Sequence, residues 1–137
     1  MREDDLNSGR FGYTGYLVSK SSRRELRNLY PEKYAQFVGH HITHEFGVNE
    51  NTADIPEAGT VRLVGYADSG DGIECFVAEV NGSTVRPDGG TCHLTWSFDP
   101  NSGYKLKHSN DLLKRDGWEN IDPINIDVEP QFFAMKR

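Results

Sequence analysis

Polar and apolar side chains alternate most regularly between Thr91 and Phe98. The run Thr-Cys-His-Leu-Thr-Trp-Ser-Phe predicts a strand with Thr91, His93, Thr95 and Ser97 on one face and Cys92, Leu94, Trp96 and Phe98 on the other. A second run, Tyr34 to Gly47, sets His41 and Thr43 on one face and Val38, Ile42 and Phe46 on the opposite one, which also carries His40 and His44. Phe11 to Ser19 is aromatic and β-branched enough for a strand, with Gly12 and Gly15 allowing close backbone approach. Thr60–Ala67 and Ile73–Val80 read as two strands joined by the turn-rich Asp68-Ser69-Gly70-Asp71-Gly72. Pro123–Val128 and Gln131–Met135 complete the set of strands.

Helical signals are fewer. Ser21 or Ser22 can cap a short helix through Tyr30, with Leu26, Leu29 and Tyr30 at helical spacing and Pro31 just beyond. Ser109 or Asn110 can cap another over Asp111–Arg115, stopped at Gly117. Asn49–Gly59 reads as a loop and Arg86–Gly90 as a turn. About seven strands and two short helices, without βαβ alternation, predict an α+β fold. Residues 1–10 read as a flexible, acidic lead-in, and residues 11–137 as a single domain.

Composition narrows the function classes. A net charge of −6 argues against coating long duplex nucleic acid, whose affinity depends on Lys and Arg neutralising phosphates, but leaves room for a small phosphorylated ligand. No apolar run reaches membrane-spanning length, and Met1-Arg2-Glu3-Asp4-Asp5 lacks the regions of a signal peptide, so a cytoplasmic protein without a membrane partner is expected. Cys75 and Cys92 both fall in apolar strands and read as small buried hydrophobes.

The chemistry-bearing residues are the two His-x-Thr units, His41-Ile42-Thr43 and His93-Leu94-Thr95, each presenting an imidazole and a hydroxyl together. Phosphodiester cleavage needs a base, an acid and donors for the non-bridging oxygens. Two such units facing each other supply all of them: His41 and His93 for proton transfer, Thr43 and Thr95 for the phosphate. Imidazole suits both proton roles near neutral pH, and no metal or other cofactor is required.

These paired motifs resemble the 2H phosphoesterase superfamily, the LigT-like enzymes. The longer strings Gly39-His40-His41-Ile42-Thr43 and Cys92-His93-Leu94-Thr95 look most like the cyclic phosphodiesterase domains of RNA-repair enzymes, and small viral enzymes that degrade cyclic nucleotide defence signals are a second relative. The resemblance implies a reduced, sheet-dominated fold in which two antiparallel sheets form a central cleft, and metal-independent hydrolysis of a 2′,3′-cyclic phosphate on an RNA end or small nucleotide. It also implies lesser roles: Tyr13 or Tyr16, and Tyr104, stacking on a base, and Arg86 or Lys107 pairing with a phosphate. Trp96 shares its face with Leu94 and Phe98 and belongs to the core.

Two other readings remain open on the sequence. His40, His41 and His44, with His93 or His108, can be drawn as a zinc site, although the alternation favours a strand, and clear carboxylate or Cys partners are missing. A non-catalytic β-rich module holding a nucleotide or a protein is the other. Asp99 and Glu45 are candidate orienters of the imidazoles.

Overall fold

The structure, a computed structural model, describes residues 9–57 and 59–135. The acidic lead-in therefore lies almost wholly outside the described residues. The elements run β1 (Phe11–Val18), α1 (Lys20–Leu29), β2 (Gln36–Phe37), β3 (His41–Asn49), β4 (Val61–Asp68), β5 (Ile73–Val80), β6 (His93–Phe98), α2 (His108–Asp116), β7 (Glu119–Ile126) and β8 (Val128–Ala134). A 3₁₀ turn, Pro100–Ser102, follows β6.

Every strand pairing is antiparallel, in the order β7-β4-β5-β6-β3-β1-β8, with β2 added to β6. The edge strands β7 and β8 are separated in the chain by Asp127 alone, so the sheet has to curl until its edges approach each other. The result is an α+β half-barrel. Among the described residues the strands form this one curled sheet, in place of the two sheets that the resemblance implies.

The inner face carries the larger core: Tyr16, Val18, Ile42, Leu63, Phe76, Leu94 and Trp96 from the strands, with Leu26 of α1 packed among them. Trp96 is fully buried, donates its indole N–H to the Tyr30 carbonyl at 2.9 Å, and meets Phe37 and Phe76 edge-on. On the outer face, Leu112 and Leu113 of α2 cover Ala67, Ile73, Cys75 and Val77. Both thiols are free and buried, and burial pushes that of Cys75 up to about 12.

Four departures from the sequence pattern shape the site. First, Tyr34–Gly47 is not one strand. Gly39 takes a left-handed φ of 51°, and a Cβ there would stand 2.5 Å from the Phe37 ring, so the chain breaks into β2 and β3. Second, the β1–β3 register shifts between Thr14 and Gly15, leaving His44 as an extra residue. Beyond that bulge Phe46 stands opposite Tyr13 and packs against it, on the His41 side rather than the face opposite. Third, a shift between Glu74 and Cys75 leaves Trp96 unpaired in β6. Past it the alternation slips: Phe98 joins the outer cluster, while Ser97 turns away to bond Glu74.

The helices make up the fourth departure. Ser19, not Ser21 or Ser22, caps α1 and accepts from the Ser22 N–H at 3.1 Å, while the Ser22 hydroxyl accepts from the Asp127 N–H at 2.9 Å. Helix α2 begins at His108 behind Lys107, which gives no side-chain cap, and buries Ser109. Strand β7 starts four residues before Pro123, which an edge strand tolerates because its missing N–H need not face a neighbour.

Candidate active site

Ile42 of β3 pairs with Leu94 of β6, and both side chains are fully buried on the inner face. Alternation therefore sends His41, Thr43, His93 and Thr95 to the outer face. The partners agree: His93 stands opposite Val77 and Thr95 opposite Cys75, both members of the outer cluster. His41 and His93 are then diagonal neighbours across one strand pair, a relation that separates side-chain roots by roughly 7 Å.

The imidazoles are half-buried, and each has one anchored nitrogen. His93 Nδ1 lies 2.9 Å from the carbonyl oxygen of Thr91. A carbonyl only accepts, so Nδ1 carries the proton and the neutral ring keeps its lone pair on Nε2. His41 Nδ1 lies 2.9 Å from Nδ1 of His40. Burial lowers His41 to about 4, helped by the charges of His40 and His93. Burial also lowers His93, with the Thr91 carbonyl opposing and the Arg86 charge reinforcing that shift. The two rings feel each other electrostatically, and protonating His93 disfavours a second proton on His41.

Around His41 the outer face is aromatic. Its ring centroid is 4.9 Å from Tyr13 and 5.3 Å from Phe133, and Tyr13 and Phe133 stack at 4.9 Å. Phe46 and Phe11 extend the row. Gly15 lies in β1 two positions from Tyr13, and a Cβ there would stand 2.5 Å from the Ile42 carbonyl oxygen, so β1 and β3 approach this closely only at a glycine. Of the two tyrosines of β1 named above, Tyr13 is the one beside His41. Phe133 is the residue that sequence reasoning misses: Gln131–Met135 reads as a strand, but nothing in it reveals that β8 docks beside β1.

The other candidates are dispersed. Thr95 is buried and its hydroxyl is hydrogen-bonded to Ser109 of α2 at 2.8 Å, so it is not open to a phosphate in this arrangement. Tyr16 points inward, 3% exposed, and with His44, Arg86 and Cys92 lines a separate cavity of about 300 Å³. Arg86 is ion-paired with Asp88 and reaches His93 only through its charge. Tyr104 donates to Asp71 at 2.9 Å, beyond the far end of β6, and Lys107 is exposed before α2. Asp99 caps the 3₁₀ turn, and Glu45 is exposed beyond the His44 bulge.

The three-histidine zinc set is split by that bulge, since His44 Nδ1 meets the Thr14 hydroxyl at 3.2 Å while His40 and His41 face each other. Among the described residues no three His, Cys, Asp or Glu side chains are grouped to hold a metal. No helix there is long and apolar enough to cross a membrane. Neither a family model, nor a curated protein, nor a solved structure matches this chain.

Proposed function

We propose that this chain is a metal-independent phosphodiesterase of the 2H, LigT-like kind, opening a 2′,3′-cyclic phosphate between His41 and His93. The reading is supported above all by the Ile42–Leu94 pairing, which turns both imidazoles to one side of the sheet within mutual electrostatic reach. In place of a cleft between two sheets, the site lies on the outer face of the one curled sheet, at β3 and β6 and beside the cluster that α2 covers.

The Thr91 carbonyl stabilises an imidazolium at His93, whereas His41 Nδ1 meets only another imidazole. His93 is therefore the acid and His41 the base. His41 takes a proton from the attacking water as the water oxygen bonds to phosphorus, and His93 gives its proton to the departing ribose oxygen as the P–O bond breaks. Substrate charge supports the protonated state, because a phosphate anion beside His93 raises its pKa. The Thr43 hydroxyl donates to a non-bridging oxygen, and Thr95 does so only after exchanging Ser109 for substrate.

The test is a panel of 2′,3′-cyclic, 3′,5′-cyclic and cyclic-dinucleotide substrates, incubated with EDTA and resolved by product position. Turnover of the 2′,3′-cyclic members that survives EDTA and is lost in both His41→Ala and His93→Ala is expected. A dominant cyclic-dinucleotide activity would move the assignment to degradation of a defence signal. Loss with EDTA and rescue by zinc would overturn the metal-free mechanism.

A further inference from the structure

Next to His41 stands a second imidazole, that of His40, to which the reaction gives no role. Strict alternation would put His40 on the face opposite His41, but the left-handed turn at Gly39 releases it from that rule. The Gly39 N–H donates to the Thr95 carbonyl at 3.0 Å, and the His40 carbonyl accepts from the Val18 N–H at 3.0 Å, so the turn is tied to both β6 and β1. From that fixed root the His40 ring turns towards His41. The ring centroids stand 5.2 Å apart at 81°, and the two Nδ1 atoms 2.9 Å apart.

Two ring nitrogens at that distance share one proton. Facing lone pairs would repel each other, and so would facing N–H groups, so one ring donates and the other accepts. If His41 donates, its proton is on Nδ1 and its Nε2 keeps the lone pair that a base needs. If His40 donates, a neutral His41 must carry its proton on Nε2 and has no lone pair left for water. Neutral histidine ordinarily holds its proton on Nε2, and His40, the more exposed of the two rings, can do so with solvent as its partner, which makes its Nδ1 the acceptor. A protonated His40 carries N–H on both nitrogens and can only donate.

The charges around the two rings fix which one takes up a proton first. From α1, Arg23 acts on His40, and from β6, His93 acts on His41. The flanking rings of Phe133 in β8 and Tyr13 in β1 carry no charge at neutral pH, and burial pushes the Tyr13 hydroxyl further up. Among the described residues no carboxylate acts on either imidazole. Partial desolvation and then the Arg23 charge lower His40, while His41, more deeply buried and opposed by the His40 charge, is held at about 4. As pH falls, His40 is the first of the two to be protonated.

We propose that His40 is the positioning residue of the base and its acid-side switch: unprotonated, its Nδ1 accepts from the His41 Nδ1–H and leaves His41 Nε2 free to take a proton from water; protonated, it reverses that hydrogen bond and withdraws the base. This rests on the phosphodiesterase reading for the role of His41, while the direction of the hydrogen bond is measurable without turnover. In the reaction the water O–H breaks as its oxygen bonds to phosphorus, the proton arrives on His41 Nε2, and the resulting imidazolium keeps donating through Nδ1 to His40. The acid limb of kcat/KM then belongs to His40, not to His41.

The test uses the full chain with ¹⁵N-labelled histidine. Side-chain ¹⁵N chemical shifts distinguish a protonated ring nitrogen from one with a lone pair, and so read the tautomer of His41. At pH 8 His41 should carry its proton on Nδ1, and as His40 titrates the pattern should invert with the same midpoint. In His40→Asn, whose amide oxygen can replace the acceptor but does not titrate, the pH 8 pattern should persist without inversion. With 2′,3′-cyclic AMP as substrate, His40→Asn should keep the optimal kcat within about threefold while the acid limb moves to lower pH, and His40→Ala should lose about 10–100-fold in kcat with little change in KM, the scale for losing the group that orients a functional imidazole. The His40 side chain is exposed, so an unchanged melting curve verifies the fold of both variants.

A lone pair on His41 Nδ1 at pH 8, a tautomer indifferent to the His40 titration, or an acid limb unmoved in His40→Asn would overturn the proposal. Inversion of the His41 pattern in a protein that turns over no cyclic phosphate would leave the histidine pair standing and remove the phosphodiesterase reading. Normal turnover, with a His41 pattern and a pH profile that ignore both His40 variants, would leave that reading standing and remove the switch.

Discussion

Glu74 and His93 stand on neighbouring strands, and both are ionisable groups drawn partly or wholly out of water, yet their surroundings are opposite. Glu74 is 2% exposed and saturated: it accepts from the Lys33 N–H at 2.7 Å, from the Tyr66 hydroxyl and from the Ser97 hydroxyl, which in turn accepts from the Tyr34 N–H. His93 has one anchored nitrogen, and among the described residues the other has no hydrogen-bond partner. The same strand, β6, supplies Ser97 to the closed node and His93 to the open pair. A saturated polar cluster specifies packing, whereas an ionisable group with one unsatisfied atom at a surface margin is suited to act on something else.

Substitutions should separate the two regions. The largest expected effect is on turnover: His93→Ala or His41→Ala should cost about 10²–10⁴ in kcat, the range for a lost acid or base, with little change in melting temperature. Comparable kcat losses from substitutions throughout the face, with no special drop at these two, would erase the distinction. Glu74→Ala should do the reverse. It strands buried donors and should destabilise the fold by about 3 kcal/mol or more, read by urea denaturation, while the folded fraction keeps its activity.

Acid should weaken the fold through the open pair. Burial holds His41 at about 4, below the ordinary imidazole value. Between the two values the unfolded chain takes up a proton that the folded chain refuses, so stability falls as pH is lowered and is unaffected by this group above that window. From pH 7 to pH 5 the contribution is about 2 kcal/mol, and it should vanish in His41→Ala when denaturation midpoints are compared at the two pH values. Because His93 is lowered as well, the optimum of kcat/KM, which needs one ring neutral and one protonated, should lie on the acid side of about 6.5.

The threonines give a smaller contrast. Thr43→Val should lower kcat/KM by about tenfold without affecting melting, equivalent to about 1.4 kcal/mol at the transition state. Thr95→Val breaks the buried bond to Ser109 and should instead cost about 1 kcal/mol of stability. Least of all, Lys107→Ala, at an exposed position that supplies no cap, should shift stability by less than about 0.5 kcal/mol, measured in the same denaturation series.

What could be read from the chain, and what could not, follows from the range over which alternation holds. Period two assigns faces correctly across three consecutive positions, so His41 with Thr43 and His93 with Thr95 were legible, as was the inward Leu94–Trp96 pair. It fails after each inserted residue. One unpaired position at His44 carries Phe46 to the other side, and one at Trp96 carries Ser97 and Phe98. The resemblance points to Tyr16, Arg86, Tyr104 and Lys107, and nothing local says that curling the sheet sends Tyr16 inward or that Tyr104 is tied to Asp71.

By itself, then, the sequence determined the strands, the α+β class, and two imidazole–hydroxyl units each displayed on one side of a strand, because side-chain direction within a few residues depends on backbone geometry alone. Only the tertiary structure decided that β3 and β6 are neighbours, that Phe133 arrives from the far edge beside His41, and that Ser109 closes over Thr95. Those are matters of register and of which edges a curled sheet brings near each other. They arise from contacts between residues distant in the chain, which no local pattern encodes.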